Sequence, residues 1–201
     1  VGANKLGEYI AKNFSQFGLR HKILGFVDEN LSLEGKKVAG FPFLGNPESI
    51  LNKNKIAVVV ALPSVYEKVS MIKKLASNKN IEFPNLISLG SWISRDCIFG
   101  KGNVILEGSL INFGTMVGNF NYLGEKCSIG HESIIGDCCY LENEVTIGGY
   151  SILEGMITMK KGSGINQGIR VGKESIIEKF LIRKKEKPGL PASLINSKVI
   201  N

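Results

Sequence analysis

The chain has 201 residues, of which 43% are hydrophobic and 21% charged, and carries a formal charge of +7. This balance excludes a disordered or fibrous protein, and the length accommodates one domain or two small ones. The longest apolar run, Ile56 to Leu62, falls far short of the roughly 20 residues that span a bilayer, so membrane insertion is not expected. The opening Val1-Gly2 has no secretory pattern, and with no Met there an upstream strand is expected before it.

In chain order, Gly2-Ala3-Asn4-Lys5-Leu6-Gly7 opens a helical stretch expected to run to about Phe17. Ile23 to Asp28 and Ile56 to Leu62 read as strands, and Phe83 to Ile87 as a further short one. Asn46-Pro47-Glu48 has the order of a helix start: a capping residue, then proline, then an acid. Ser64 is placed to cap a second helix with Val65, Val69, Ile72 and Leu75 on one face. Alternating strands and helices predict a small parallel α/β domain over residues 1–84. A glycine turn entering a helix points free N–H groups outward, so Gly2, Ala3, Asn4 and Gly7 are candidate phosphate contacts. Asp28, at a strand end, is a candidate acceptor for a ribose or base. The plainer alternatives are a turn glycine and a strand-end acid. His21, between Arg20 and Lys22, reads as a surface residue.

Residues 85–96 are expected to form a linker and a first partial coil. From Cys97 to Phe180 the sequence divides without a gap into fourteen blocks of six. The third residue of every block, from Phe99 to Ile177, is apolar, and nine of these are Ile or Val. The next position is glycine in seven blocks, among them Gly100, Gly118 and Gly130. A period of six is neither helical nor a simple alternation. It fits a short strand with an inward β-branched residue, followed by a corner at which the glycine is expected to supply a strained backbone conformation. Three faces close one coil of eighteen residues, so residues 97–180 are expected to form a β-helix of four to five coils.

His131 occupies the fifth place of its block, at a corner, and is expected to project outward, with Gly149 stacked eighteen residues further on. An imidazole titrates near neutrality and can remove a proton from an attacking amine or hydroxyl, and the adjacent Glu132 can orient it. A lone histidine is more often structural; the outward corner and the neighbouring carboxylate favour catalysis. With only His21 and His131 present, a three-histidine metal site is not expected, and no metal is called for. Cysteines at 97, 127, 138 and 139 form no C-x-x-C pair and suit a reducing, cytoplasmic setting. The basic cluster Arg183, Lys184, Lys185 and Lys187 lacks the aromatic interleaving of a nucleic-acid surface, and suits a polyphosphate-bearing small molecule or a solvated tail.

The order of these pieces resembles one family. Val38-Ala39-Gly40-Phe41-Pro42-Phe43-Leu44-Gly45 and Phe83-Pro84-Asn85-Leu86-Ile87 lie between the glycine turn and the hexapeptide coil. The chain is similar over nearly its whole length to hexapeptide-repeat sugar acetyltransferases, of the sialic acid O-acetyltransferase and UDP-4-amino-sugar N-acetyltransferase type. The resemblance implies a Rossmann-like nucleotide-sugar-binding domain over 1–84, followed by a left-handed parallel β-helix acyltransferase domain over 97–180. It also implies a C-terminal tail over 181–201, a homotrimer, and acetyl-CoA bound between coils. The family's catalytic pair maps onto His131 and Glu132. A glycine on the pantetheine path maps onto Gly149, and the loop at the adenine end of CoA onto Gly189, Pro191 and Ala192. The family's second histidine, which contacts the thioester carbonyl, is Tyr140 here, and a phenol can donate the same hydrogen bond. Other positions depart as well: Gly124-Glu125 stands where the family has Asn-Thr, and Lys160 where it has a glycine. The expected activity is acetyl transfer from acetyl-CoA to an amine or hydroxyl of a sugar, in bacterial surface-glycan biosynthesis. A catalytically silent nucleotide-sugar or CoA binder is the alternative.

Overall fold

A computed structural model describes residues 1–181, which divide into two compact units, Val1–Leu89 and a coil from Gly90 onward.

In the first unit, α1 (Lys5–Lys12) begins where the Asn4 side chain accepts hydrogen bonds from the N–H groups of Leu6 and Gly7, at 2.9 and 3.1 Å. This cap satisfies two of the donors that a helix start leaves open. The helix is shorter than the sequence suggests. Asn13 turns its side-chain amide back to the Tyr9 carbonyl at 2.9 Å, and the chain continues as a 3₁₀ turn over Phe14–Phe17. β1 (Lys37–Val38) and β2 (Phe41–Pro42) form a hairpin about Ala39 and Gly40, both at positive φ as a tight hairpin turn requires. The Asn46-Pro47-Glu48 signal starts only a 3₁₀ turn, Pro47–Ile50.

The expected strands are present as extended chain with little regular pairing. Ile23 to Asp28 contributes one isolated parallel bridge, Phe26 to Phe43, and Ile56 to Leu62 contributes β3 (Ile56–Ala57). β3 pairs in parallel with β4 (Ile81–Glu82); Pro84, without an N–H, separates β4 from the short strand Leu86–Ile87. Hydrogen bonds join Leu44 to Phe26, Gly2 to Val27, Val1 to Val59 and Ala61, and Val58 to Glu82. The segments therefore lie side by side in the order Phe43, Phe26–Val27, Val1–Gly2, Val58–Ala61, Ile81–Glu82. α2 (Val65–Leu75) starts at Ser64, whose hydroxyl accepts from the Glu67 N–H at 3.3 Å. Its buried residues are Val65, Lys68, Met71 and Leu75. The face is rotated from the expected one because Lys68, discounted for its charge, is almost wholly buried; Ile72 packs at the edge and is partly buried.

The second unit is a parallel β-helix of about five turns, built from two-residue strands on three faces. One face carries Ile98–Phe99, Met116–Val117, Ile134–Ile135, Ile152–Leu153 and Arg170–Val171 in consecutive parallel register. The other two begin from Val104–Ile105 and Trp92–Ile93 and are stacked in the same way. Every step is eighteen residues except the last, where Phe180 pairs with Gly164 and its ring lies over the space that this glycine leaves. Of the fourteen predicted spine residues, thirteen are buried and Phe99 is half-buried.

The corner chemistry differs from the expectation. The left-handed backbone falls on the sixth residue of each block, from Gly102 to Glu174, and eight of those thirteen residues are not glycine. The fourth-position glycines have ordinary φ; all but Gly172 serve close approach. A Cβ on Gly130 would collide with the backbone of Gly148 and Gly149 in the next coil. A second inward row, the first residue of each block from Asn103 onward, is buried and mostly small and polar. Ser109, Thr115, Ser133 and Ser151 donate from it to carbonyls of the next coil at 2.9 to 3.2 Å. These bonds close the corners and pair four of the row's hydroxyls; the Ser163 hydroxyl, also buried, has no partner among the described residues.

Candidate functional site

His131 sits on a corner of the coil, one residue before the left-handed position held by Glu132 (φ 52). The eighteen-residue stacking sets its surroundings. Phe113, in the coil before, lies flat on the imidazole, with ring centroids 5.0 Å apart and planes 11° from parallel. Tyr150, in the coil after, meets it edge-on at 4.7 Å and 86°. The backbone ties the column together: Glu132 N–H donates to the Phe113 carbonyl at 2.8 Å, and Tyr150 N–H to the His131 carbonyl at 2.9 Å. Gly149 lies against the ring, and a Cβ there would stand 2.8 Å from His131 Nε2. The space that Gly149 leaves is therefore where the imidazole rests.

The expected pairing of His131 with Glu132 takes a different form. The two are adjacent, but the Tyr150 phenol lies beside the Glu132 carboxylate, whose acceptor oxygen and then whose charge push the phenol's pKa above its usual value. His131 Nδ1 is buried and has no hydrogen-bond partner among the described residues. The ring is held by aromatic contacts. Phe113 and Tyr150 went unmentioned in the sequence reading, although counting eighteen back and nineteen on from His131 finds both.

Tyr140 lies on another face of the coil, stacked on Tyr122 with centroids 4.6 Å apart and planes 13° from parallel. Burial, and then the charge of Glu142, push its phenol's pKa up, so the hydroxyl is protonated at neutral pH. Gly189, Pro191, Ala192 and the basic cluster from Arg183 to Lys187 lie outside the described residues.

In the first unit the glycine turn assembles as a set. Gly2, at φ 103, passes so close to the Ala61 carbonyl that a Cβ would meet it, and a Cβ on Gly7 would strike the Gly2 carbonyl. Asp28 accepts from the Ala3 N–H at 2.7 Å through one oxygen and from the Asn30 N–H at 2.9 Å through the other. Among the described residues, the N–H groups of Asn4 and Lys5 bond to no other group. They remain as outward donors at the start of α1. Beneath the turn lies a cavity of about 370 Å³ with mainly apolar walls, bordered by Gly2, Gly7, Ile10, Ile23, Phe26 and Val58.

Among the described residues no group of three His, Cys, Asp or Glu side chains gathers as a metal site, and no helix is long and apolar enough to cross a membrane.

No protein-family model and no curated protein matches the chain. Solved structures do. The acetyltransferase domain of PglB from Neisseria gonorrhoeae, in complex with acetyl coenzyme A, matches with a TM-score of 0.68 at 17% identity, over 90% of each chain. PerB from Caulobacter crescentus, in complex with CoA and GDP-perosamine, matches at 0.67 and 16% identity, over 91% of this chain and 89% of that one. WeeI from Acinetobacter baumannii matches at 0.57 and 16% identity, over 87% and 91%. At such identities the likeness is one of fold.

Proposed function

We propose that this chain transfers the acetyl group of acetyl-CoA to an amine or hydroxyl of a nucleotide-linked sugar, with His131 as the base. The observation that carries the reading is the His131 corner: an imidazole clamped by Phe113 and Tyr150, its Nε2 edge toward Gly149, on a fold shared with proteins solved with acetyl-CoA, CoA and GDP-perosamine.

Acetyl-CoA supplies the thioester carbonyl that the acceptor nitrogen or oxygen attacks, releasing the CoA thiol. His131 takes the acceptor's proton on Nε2, a contribution of about 10²–10⁴ in rate. Glu132, next in the chain, places a negative charge beside the imidazolium that forms. Gly149 keeps the backbone of the next coil close to the ring without a side chain, which suits a pantetheine arm along that corner. Tyr140, on another face of the coil, would offer its protonated hydroxyl to the thioester oxygen from a neighbouring copy in the trimer. Gly189, Pro191 and Ala192, with the basic cluster before them, would hold the adenine end of CoA.

Residues 1–84 are read as a Rossmann-like domain for the nucleotide. The side-by-side order of its segments, with Val1–Gly2 in the middle, supports this, as do the outward donors of Asn4 and Lys5 at the start of α1. Each Asp28 oxygen keeps a lone pair for a ribose hydroxyl. A left-handed coil assembled as a homotrimer is part of the proposal. Ile98, Met116 and Ile134 form an exposed apolar stripe on the face that follows the His131 corner, which a second and third copy would cover. The four cysteines, none of them in a disulfide, fit a reducing cytoplasm.

The test is to incubate the protein with acetyl-CoA and a panel of UDP- and GDP-linked 4-amino sugars and sialic acids, and to identify products by mass. A gain of one acetyl group on one acceptor class supports the reading and separates amine from hydroxyl transfer. Acetyl-CoA binding with no product on any acceptor would replace it with a non-catalytic binder.

A further inference from the structure

Resting on the reading of His131 as a base, we infer that Tyr150 is a positioning residue of the same site, its ring edge fixing the plane of the imidazole beside Glu132. It touches both members of the pair, whereas His131 Nδ1 is bonded to neither Glu132 nor any other described group. Phe113 closes one face of the imidazole and the Tyr150 edge meets it at a right angle, so the ring keeps a single plane.

The corner column is arranged to allow this. Its sixth-position residues run Gly114, Glu132, Tyr150, Gly168, all in the left-handed conformation, with glycine on either side of the two that carry side chains. The Glu132 stem lies over Gly114, where a Cβ would stand 2.9 Å from its Cγ. The imidazole lies over Gly149. Two non-glycine residues thus occupy a backbone region that is costly for them, and Gly114 opens the space that the Glu132 stem uses. The core has little use for either ring: Phe113 is 47% exposed and Tyr150 51%.

In the reaction, the proton arriving on Nε2 makes the imidazole positive. The Glu132 carboxylate favours that state, and a phenol beside it that can donate to it opposes its rotation into solvent. Tyr150 therefore acts through His131 and Glu132 and moves no proton itself.

The experiment compares Tyr150→Phe, which keeps the edge and removes the phenol, with Tyr150→Ala, which removes both. Thiol release is expected to show kcat down about tenfold in Tyr150→Phe and about a hundredfold in Tyr150→Ala, with KM for acetyl-CoA within about twofold of wild type. Wild-type kcat in both variants would overturn the inference, as would a KM that rises in step with the loss, which would make Tyr150 a CoA contact. A second readout does not need turnover. Only two histidines are present, so the imidazole proton resonances of His131 can be assigned against His21. Ring currents should displace them; they should keep that displacement in Tyr150→Phe and lose part of it in Tyr150→Ala. If wild-type protein released no thiol, the acetyl-transfer reading would fall, and His131 resonances unmoved in Tyr150→Ala would separately overturn the contact.

Discussion

Gly149→Ala should slow acetyl transfer sharply while leaving the fold nearly as stable. A Cβ at 149 would stand 2.8 Å from His131 Nε2, 3.0 Å from Cδ2 and 3.1 Å from Cε1. To regain ordinary contact the imidazole must move by about 0.6 Å, against Phe113 stacked on it and Tyr150 at its edge. A displacement of about 1 Å at a reacting group costs about a hundredfold, so a loss of roughly ten- to fiftyfold in kcat/KM is expected here. Gly149 does not occupy the left-handed region, so the change in unfolding free energy should stay below about 1 kcal/mol. Gly162→Ala is the control with the opposite signature. Gly162 sits at φ 68 with nothing within 4 Å of its built Cβ. Its substitution should cost about 1 kcal/mol of stability through the backbone alone and leave turnover unchanged. Thiol release from acetyl-CoA and urea unfolding, measured on both variants, separate the two effects. A Gly149→Ala protein with wild-type kcat/KM would refute the placement of the imidazole against this glycine.

Ile129→Ala removes a fully buried spine side chain two residues before His131, and should cost about 2–5 kcal/mol, read as a lower urea midpoint at constant slope. Ser133→Ala breaks the 3.2 Å bond to the Gly148 carbonyl beside Gly149 and should cost about 1 kcal/mol in the same assay. Burial pushes the Cys127 thiol up to about 11 from an ordinary 9.0, so native protein at pH 8 should leave that thiol unmodified by a disulfide reagent that reacts with it once the chain is unfolded. The same shift makes a sign testable. The folded state holds the Cys127 proton more tightly, so that contribution to stability is fully present below pH 9 and lost as pH rises toward 11, and Cys127→Ala should flatten the alkaline fall in unfolding free energy.

The coil was legible because its period is written in large apolar residues: the spine from Ile105 to Ile177 is buried as the six-residue spacing requires. The corner was misread for a physical reason. Glycine is the usual mark of a left-handed backbone, yet here Phe120, Lys126 and Glu132 adopt it while Gly118, Gly124 and Gly130 do not. Each of the non-glycine residues has its N–H paired to the coil before, which holds a conformation that local propensity disfavours. The row of Ser109, Thr115 and Ser133 carried a second periodic signal, overlooked because small polar residues are seldom counted as interior. In the first unit the strands were foreseen as segments, but their pairing was not, since two-residue ladders leave little pattern to read. At the candidate site, the resemblance pointed to His131 and Glu132 and the repeat stacked Gly149 beside them; the structure adds Phe113 and Tyr150, which the same spacing contained.

The central claim is that His131 is the base of an acetyl transfer, and one comparison tests it most directly: thiol release from acetyl-CoA by wild-type and His131→Ala protein with the acceptor that turns over. The account predicts a fall in kcat of about 10² or more, with acetyl-CoA binding by calorimetry and the thermal transition both retained. Equal turnover in the two proteins would contradict it, and the proton would then have to leave by another route.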